Sequence, residues 1–107
     1  MERFEAYDEA LKDFVNSRGW NAFQSPKDLA MAMAVESAEV LEIFQWLTPQ
    51  QSLSLREMPE RKRAVAHELA DVLNYLMRLA WAMDIDILDA AREKLEINIA
   101  RFPAPEQ

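Results

Sequence analysis

The sequence predicts an all-α protein, a four-helix bundle in a single domain that spans residues 1–107. Three observations carry this prediction. Glycine occurs once and half of the residues are hydrophobic, with Ala, Leu, Met, Glu and Arg prominent, which is a composition that favours helices. Apolar residues recur at helical spacing through most of the chain. Helix-start signals, such as Ser25 followed by Pro26, stand before these periodic segments.

The first two helices are predicted from apolar spacing and from their ends. Helix one covers residues 3 to about 17, and Gly19 is placed to end it. Ser25 and Pro26 begin helix two, which we expect to run from 26 to about 47, where Pro49 stops it. Asp28, three residues after Ser25, completes the start signal.

The second half of the chain is predicted to contain a loop and two more helices. Residues 48–58 are polar and broken, so we expect a loop with room for a short helical turn. Pro59 opens helix three, which runs to about residue 83. Asp86 caps helix four over residues 87–101, and Pro103 and Pro105 end regular structure.

Helix three is predicted to contact other subunits. It is apolar on two sides, and a helix with two apolar faces in a small bundle indicates a subunit interface. One side carries acidic residues described below. The other side consists of Ala66, Leu69, Ala70, Leu73, Met77 and Ala80. We therefore expect an obligate oligomer.

Charge and composition exclude several classes of function. The chain has 12 basic and 19 acidic side chains, a net charge of −7, which argues against binding polymeric nucleic acid. It has no cysteine, so disulfides and thiolate zinc sites are absent. The first residues lack the features of a signal peptide, and no apolar run reaches the roughly 18 residues of a membrane span. A cytoplasmic location without membrane contact is the expectation.

Two acid-x-x-acid pairs are the most informative pattern in the sequence. Glu36 and Glu39 form the first pair, and Glu68 and Asp71 form the second. Residues three apart lie on one face of a helix, so each pair directs two carboxylates the same way. Both pairs fall on apolar stripes, where carboxylates are unusual. Their neighbours on these stripes are Leu29, Met33, Val40, Ile43 and Leu47 on helix two, and Val65, Val72, Tyr75, Leu79 and Met83 on helix three.

Two explanations of the inward-facing acids stay open. Buried charge is costly unless it is paired or bound to metal. A hard divalent cation would resolve the repulsion, and oxygen-only ligands favour Mg²⁺, with Mn²⁺ as a substitute. The alternative is salt bridging inside a non-catalytic helical interaction module, with cations drawn from Lys27, Arg61, Arg63 and Arg78. Di-iron and zinc sites are disfavoured because they need more histidine ligands than His67 alone can supply.

Further polar and aromatic residues each have a structural and a functional interpretation. Trp20 and Phe23 lie in the connector before helix two, either as a plug over the bundle end or as a stacking platform for a base. Lys94, Asn98 and Arg101 share one face of helix four, either as a solvated face or as a phosphate clamp.

Taken with the surrounding residues, these motifs are similar to those of a known enzyme family. The motif residues lie in five stretches: Arg18-Gly-Trp20-Asn-Ala-Phe23, Pro26-Lys-Asp-Leu29, Glu36-Ser-Ala-Glu39-Val-Leu-Glu-Ile-Phe44-Gln45-Trp46, Glu68-Leu-Ala-Asp71-Val-Leu-Asn-Tyr75-Leu and Lys94-Leu-Glu-Ile-Asn98-Ile-Ala-Arg101-Phe102-Pro103. The chain resembles the MazG-like all-α nucleoside triphosphate pyrophosphohydrolases, and within them the dCTP pyrophosphatase branch.

The resemblance implies a reaction, a site and an assembly. The reaction would be hydrolysis of a nucleoside triphosphate to the monophosphate and pyrophosphate, as house-cleaning of the nucleotide pool, with dCTP or a related deoxynucleotide preferred. The four acidic residues, Glu36, Glu39, Glu68 and Asp71, would hold Mg²⁺. The substrate would meet Trp20, Trp46, Tyr75, Lys94, Asn98 and Arg101. The assembly would be a homotetramer, a dimer of dimers with active sites shared between subunits. One departure is Leu11, where some relatives carry a histidine that could contact the substrate.

Overall fold

The computed structural model describes residues 2–20 and 24–105, and within these ranges the structure is helical with no β-strand. The helices are α1 (Arg3–Ser17), α2 (Pro26–Phe44), α3 (Pro49–Ser54), α4 (Pro59–Ala82) and α5 (Ile87–Arg101). A 3₁₀ turn, Leu55–Glu57, joins α3 to α4. The predicted all-α class is confirmed. The segment expected to be a loop with a short turn contains α3, and Phe23 lies outside the described residues.

Local hydrogen bonds at the helix ends explain why the elements begin and stop where they do. The Ser25 side chain accepts a hydrogen bond from the Asp28 backbone N–H at 3.2 Å, and the Asp28 carboxylate accepts one from the Ser25 backbone N–H in return. Gly19 has φ of +67° and donates its N–H to the Asn16 carbonyl at 3.1 Å, which closes the end of α1. Asp84 takes the corresponding left-handed position after α4, with φ of +54°.

The packing of α2 against α4 is the main tertiary contact, and it brings the two acid pairs together. A second contact joins α1 to the C-terminal half of α4, where Leu11, Val15 and Met77 form a small buried cluster. Two polar bonds tie the same helices together. The Tyr7 hydroxyl donates to Asn74 Oδ1, and the Trp81 indole N–H donates to Asp8 Oδ1 at 2.7 Å.

The isolated chain is more open than a compact domain of its size. Its accessible surface is 8766 Å², whereas about 6,100 Å² is typical for a folded monomer of this mass. Its radius of gyration is 17.1 Å, against about 13 Å for a compact chain of this length. Large apolar side chains stay exposed on α4 and α5, among them Leu69 at 53% and Ile99 at 63%. This uncovered surface follows from helices that pack on one side only.

No helix among the described residues combines the length and the hydrophobicity that crossing a lipid bilayer requires.

Candidate metal and nucleotide site

Three carboxylates meet where α2 faces α4. Glu36 and Glu39 lie one turn apart on α2, and Glu68 lies opposite them on α4. One carboxylate oxygen from each of the three lies within 4.8 Å of the other two. All three side chains are half-buried. We call Glu36, Glu39 and Glu68 the carboxylate cluster.

Proximity and burial make it costly for every member of the carboxylate cluster to be ionised. The pKa of Glu36 is raised, first by burial and then by the hydrogen bond to Glu39 and by the negative charges of Glu39, Asp71 and Glu68. The pKa of Glu68 is also raised, first by its hydrogen bond to Glu39 and then by burial and by neighbouring carboxylates. When no cation is present, the carboxyls of Glu36 and Glu68 therefore keep their protons to a higher pH than an isolated glutamate does.

No protein cation neutralises the cluster within the described part of the chain. The ion pair found there is Lys12 with Asp8, at 2.9 Å, on α1. Oxygen Oε2 of Glu36 and of Glu68 is buried and has no hydrogen-bond partner. The salt-bridge explanation of the inward-facing acids has no support in these contacts. Two orphaned oxygens in an all-oxygen donor set fit a divalent cation such as Mg²⁺.

Asp71, the fourth predicted ligand, lies at the edge of the cluster. Its side chain is exposed and its carboxylate is outside the group of oxygens that meet within 4.8 Å. Its charge nevertheless contributes to the raised pKa of both Glu36 and Glu68, so it is electrostatically close. The structure thus brings three of the four predicted acids together and leaves the fourth beside them, open to solvent.

A separate aromatic cavity lies further along the same face of α4. Trp20, Gln24, Tyr75 and Arg78 line a space of about 240 Å³. Trp20 and Tyr75 were predicted to contact a nucleoside, and the structure places both here. Trp46 does not line this cavity in the single chain, where its side chain is 86% exposed.

Comparisons with known proteins identify the family. The MazG-like family model matches residues 31–107, which include most of α2, all of α3 to α5 and all four acidic residues. The chain belongs to the MazG-like family. This confirms the resemblance inferred from the motifs.

Individual MazG-like relatives and one solved structure agree with this assignment. Human dCTP pyrophosphatase 1 is 36% identical over 92 residues, covering 86% of this chain and 54% of the human protein. The rat dCTP pyrophosphatase 1 is 33% identical over 91 residues, which cover 85% of this chain and 54% of the rat protein. The chain therefore spans about half the length of these curated relatives. The crystal structure of a pyrophosphatase from Archaeoglobus fulgidus matches with a TM-score of 0.85 and 36% identity, covering 97% of this chain and 95% of that one.

In this MazG-like chain the predicted phosphate-contacting residues stand apart from the carboxylate cluster. Lys94 and Arg101 on α5 are exposed, and Asn98 between them is half-buried. The Arg101 guanidinium lies over the Phe102 ring at 4.9 Å. No described contact joins these side chains to the acids. The clamp on α5 therefore remains a prediction.

Two pocket residues were missed by the sequence analysis. Arg78 was considered only as a cation that could neutralise the acids, and Gln24 was not considered at all. Both line the aromatic cavity. Arg78 carried a usable signal, because Glu68, Asp71, Tyr75 and Arg78 follow helical spacing along α4, which places them on one face.

Proposed function

We propose that this protein is a Mg²⁺-dependent nucleoside triphosphate pyrophosphohydrolase that converts a (d)NTP and water to the monophosphate and pyrophosphate. We further propose that dCTP or a related deoxynucleotide is the preferred substrate and that the role is removal of surplus or non-standard nucleotides in the cytoplasm. The observation that carries the proposal is the carboxylate cluster with its two orphaned oxygens and no protein counter-ion among the described residues. The family assignment and the dCTP pyrophosphatase relatives support it.

In this proposal the acidic residues bind the metal ion, and one of them also accepts a proton from the attacking water. Glu36, Glu39 and Glu68 would hold the metal, with Asp71 completing the ligand set from the exposed side. Bound Mg²⁺ would supply electrostatic stabilisation of the phosphate oxygens and orient the attacking water. A carboxylate not fully used as a ligand can accept the proton of that water. Any proton held by Glu36 or Glu68 has to leave before a cation binds.

The substrate would extend from the cluster along α4 to the aromatic cavity. Seven residues separate Asp71 from Arg78, which corresponds to about 10 Å along the helix axis. The triphosphate would lie at the carboxylates and the base between Trp20 and Tyr75. Because aromatic faces stack on any base, the two rings provide affinity rather than selectivity.

We propose that the working form is a homotetramer, a dimer of dimers. The exposed apolar side chains of α4 and α5, together with an accessible surface well above that of a compact monomer, support an assembly that covers them. Lys94 and Arg101 would then reach the triphosphate across a subunit interface, and Trp46 would be covered there. Sedimentation velocity should give one species near 50 kDa, four chains of 12.4 kDa, and a 12.4 kDa species at micromolar concentration would contradict it.

The function is tested with a screen of the standard and several modified nucleoside triphosphates in Mg²⁺ and in Mn²⁺. We expect stoichiometric monophosphate and pyrophosphate from at least one nucleotide. Asp71→Asn should abolish turnover with an unchanged helical circular dichroism signal. The control variant Glu60→Gln, which removes an exposed carboxylate in the first turn of the same helix, should keep its turnover. Release of orthophosphate as the first product, or no turnover of any nucleotide, would reject the proposal.

A further inference from the structure

Arg78 is a buried cation without an anionic partner. Its side chain is only 6% exposed, and Nε is buried with no hydrogen-bond partner. None of the ion pairs within residues 2–20 and 24–105 includes it. A buried guanidinium whose donors are unsatisfied is destabilising, so such a residue is retained where a ligand completes its bonds.

Aromatic rings hold the Arg78 guanidinium in place but leave its donors unused. The guanidinium carbon lies 5.3 Å from the centre of the Tyr75 ring and 5.7 Å from that of Trp20. Cation–π contacts of this kind stabilise the charge and fix the plane of the group. Ring faces do not accept the in-plane N–H bonds of a guanidinium fork, so that fork stays available to a planar ligand.

Gln24 supplies an unpaired hydrogen-bond acceptor that complements the unpaired donors of Arg78. Its Oε1 atom is buried and accepts no hydrogen bond. Gln24 and Arg78 line the 240 Å³ aromatic cavity together, and both also border a neighbouring cavity of about 340 Å³. The aromatic cavity therefore contains two rings for stacking, a fork of donors and one acceptor, none of which the described side chains satisfy.

The hydrogen-bonding groups on each base limit which base can pair with the Arg78 donors and the Gln24 acceptor together. A donor fork beside an acceptor requires a planar ring with two adjacent acceptors followed by a donor. Cytosine offers O2, N3 and the N4 amino group in that order. Uracil and thymine place an N–H between two carbonyls, and adenine has a single acceptor beside its amino group on the pairing edge. Guanine offers N7 and O6, then N1–H, as the competing match.

We propose that Arg78 and Gln24 read the edge of a cytosine base, with Arg78 donating to O2 and N3 and Gln24 accepting from the N4 amino group, and so determine base selectivity. This inference rests on the proposed hydrolysis of nucleoside triphosphates and adds the residues that select the base. Trp20 and Gln24 precede the stretch matched by the family model, whereas Tyr75 and Arg78 lie within it. The proposed base-reading residues thus come from a helix within the matched region and from a connector that precedes it.

The test compares kcat/KM for dCTP, dTTP, dATP and dGTP in wild type and in three variants. Arg78→Met should lower the value for dCTP roughly 5- to 150-fold, the range of one bidentate base contact, and change that for dTTP far less. Arg78→Lys should also lose selectivity, because an ammonium keeps the charge but not the fork. Gln24→Leu should reduce the preference for dCTP over dTTP. Arg63→Met, which removes an exposed arginine from the same helix, is the matched control and should keep the wild-type ranking.

Binding of dCMP separates failure of this inference from failure of the proposed function. Titration calorimetry of dCMP and dTMP requires no triphosphate and no turnover. Wild type should prefer dCMP, and Arg78→Met should remove that preference even if no nucleotide is hydrolysed. A uniform loss across all four bases in Arg78→Met would assign Arg78 to phosphate and overturn the inference. Unchanged base ranking in Arg78→Met and Gln24→Leu, or a wild-type preference for the guanine nucleotide, would also overturn it while leaving hydrolysis intact.

Discussion

Replacing Glu39 by Gln should make the metal-free protein more stable and remove its response to magnesium. Glu39 contributes to the raised pKa of both Glu36 and Glu68, so it stands at the centre of the carboxylate cluster. Two unit charges 4.8 Å apart repel by about 0.9 kcal/mol even with the screening of bulk water. Removing the Glu39 charge relieves two such repulsions, one with Glu36 and one with Glu68, less whatever protonation of those two carboxyls already removes. We expect a gain of about 1–2 kcal/mol in the free energy of unfolding.

The assay is a set of thermal melts in chelator and in Mg²⁺. For a domain of this size, 1 kcal/mol corresponds to about 4–8 °C in Tm, so the gain is measurable. Wild type should be stabilised by Mg²⁺ by mass action, by roughly 2.7 kcal/mol at one hundred times the dissociation constant. In chelator, Glu39→Gln should have a higher Tm than wild type. Its Tm should rise little when Mg²⁺ is added, and the variant should release no pyrophosphate. Glu60→Gln removes an exposed charge in the first turn of α4, away from the carboxylate cluster, and should keep the magnesium response.

A lower Tm for Glu39→Gln in chelator would refute this reasoning. That result would mean that the Glu39 charge is compensated in the metal-free protein, as the salt-bridge explanation requires. Stabilisation of Glu39→Gln by Mg²⁺ to the same extent as wild type would show that the ion binds elsewhere. Either result would remove the main support for the proposed enzyme.

Three further predictions follow from local features. The pKa values of Glu36 and Glu68 are raised above the ordinary 4.5, so the folded state binds more protons than the unfolded state between the ordinary and raised values. In chelator, the free energy of unfolding should therefore fall as the pH rises from about 4.5 through the raised pKa values, and then level off. The affinity for Mg²⁺ should instead rise with pH over the same range. Gly19→Ala should cost about 1 kcal/mol in denaturant titrations, because φ of +67° is unfavourable with a side chain, and an unchanged midpoint would contradict it. Trp81→Phe should lower the free energy of unfolding by about 1.5–3 kcal/mol, because it removes the 2.7 Å hydrogen bond to Asp8 that joins α1 to α4. A loss below about 0.5 kcal/mol would mean that this bond contributes little to stability.

The parts of the fold that depend on local sequence could be predicted well. The bounds of α1, α4 and α5 agree with the apolar periodicity within a residue or so at each end, because capping residues and prolines mark those ends. The inward direction of Glu36 and Glu68 was also predictable, since a helix of known period fixes which side chains share a face. Helix α3 was missed although Thr48 and Gln51 form a capping box around Pro49, because a six-residue helix has too little periodicity to detect.

The parts that depend on tertiary packing could not be read from the sequence. Nothing in a one-dimensional pattern shows that Arg78 becomes buried against two rings, because those rings come from separate elements. Periodicity placed Asp71 with the other acids, whereas in the structure its side chain is exposed and lies outside the cluster. Sequence motifs grouped Trp46 with Trp20 and Tyr75, whereas in the structure Trp46 is 86% exposed and lies outside the aromatic cavity.

In the proposed enzyme, helix α4 would carry both an acid that binds the metal and the arginine that contacts the base, so the helix would fix the distance between the two. An α-helix is stiff over three turns, and the separation between Glu68 and Arg78 is set by ten residues at a fixed rise of about 1.5 Å each. Inserting one alanine between Asp71 and Tyr75 would turn Tyr75 and Arg78 by about 100° relative to Glu68 and shift them by about 1.5 Å. On the proposed function, the rigid spacing along α4 would thus determine which phosphate of a bound nucleotide lies at the carboxylate cluster.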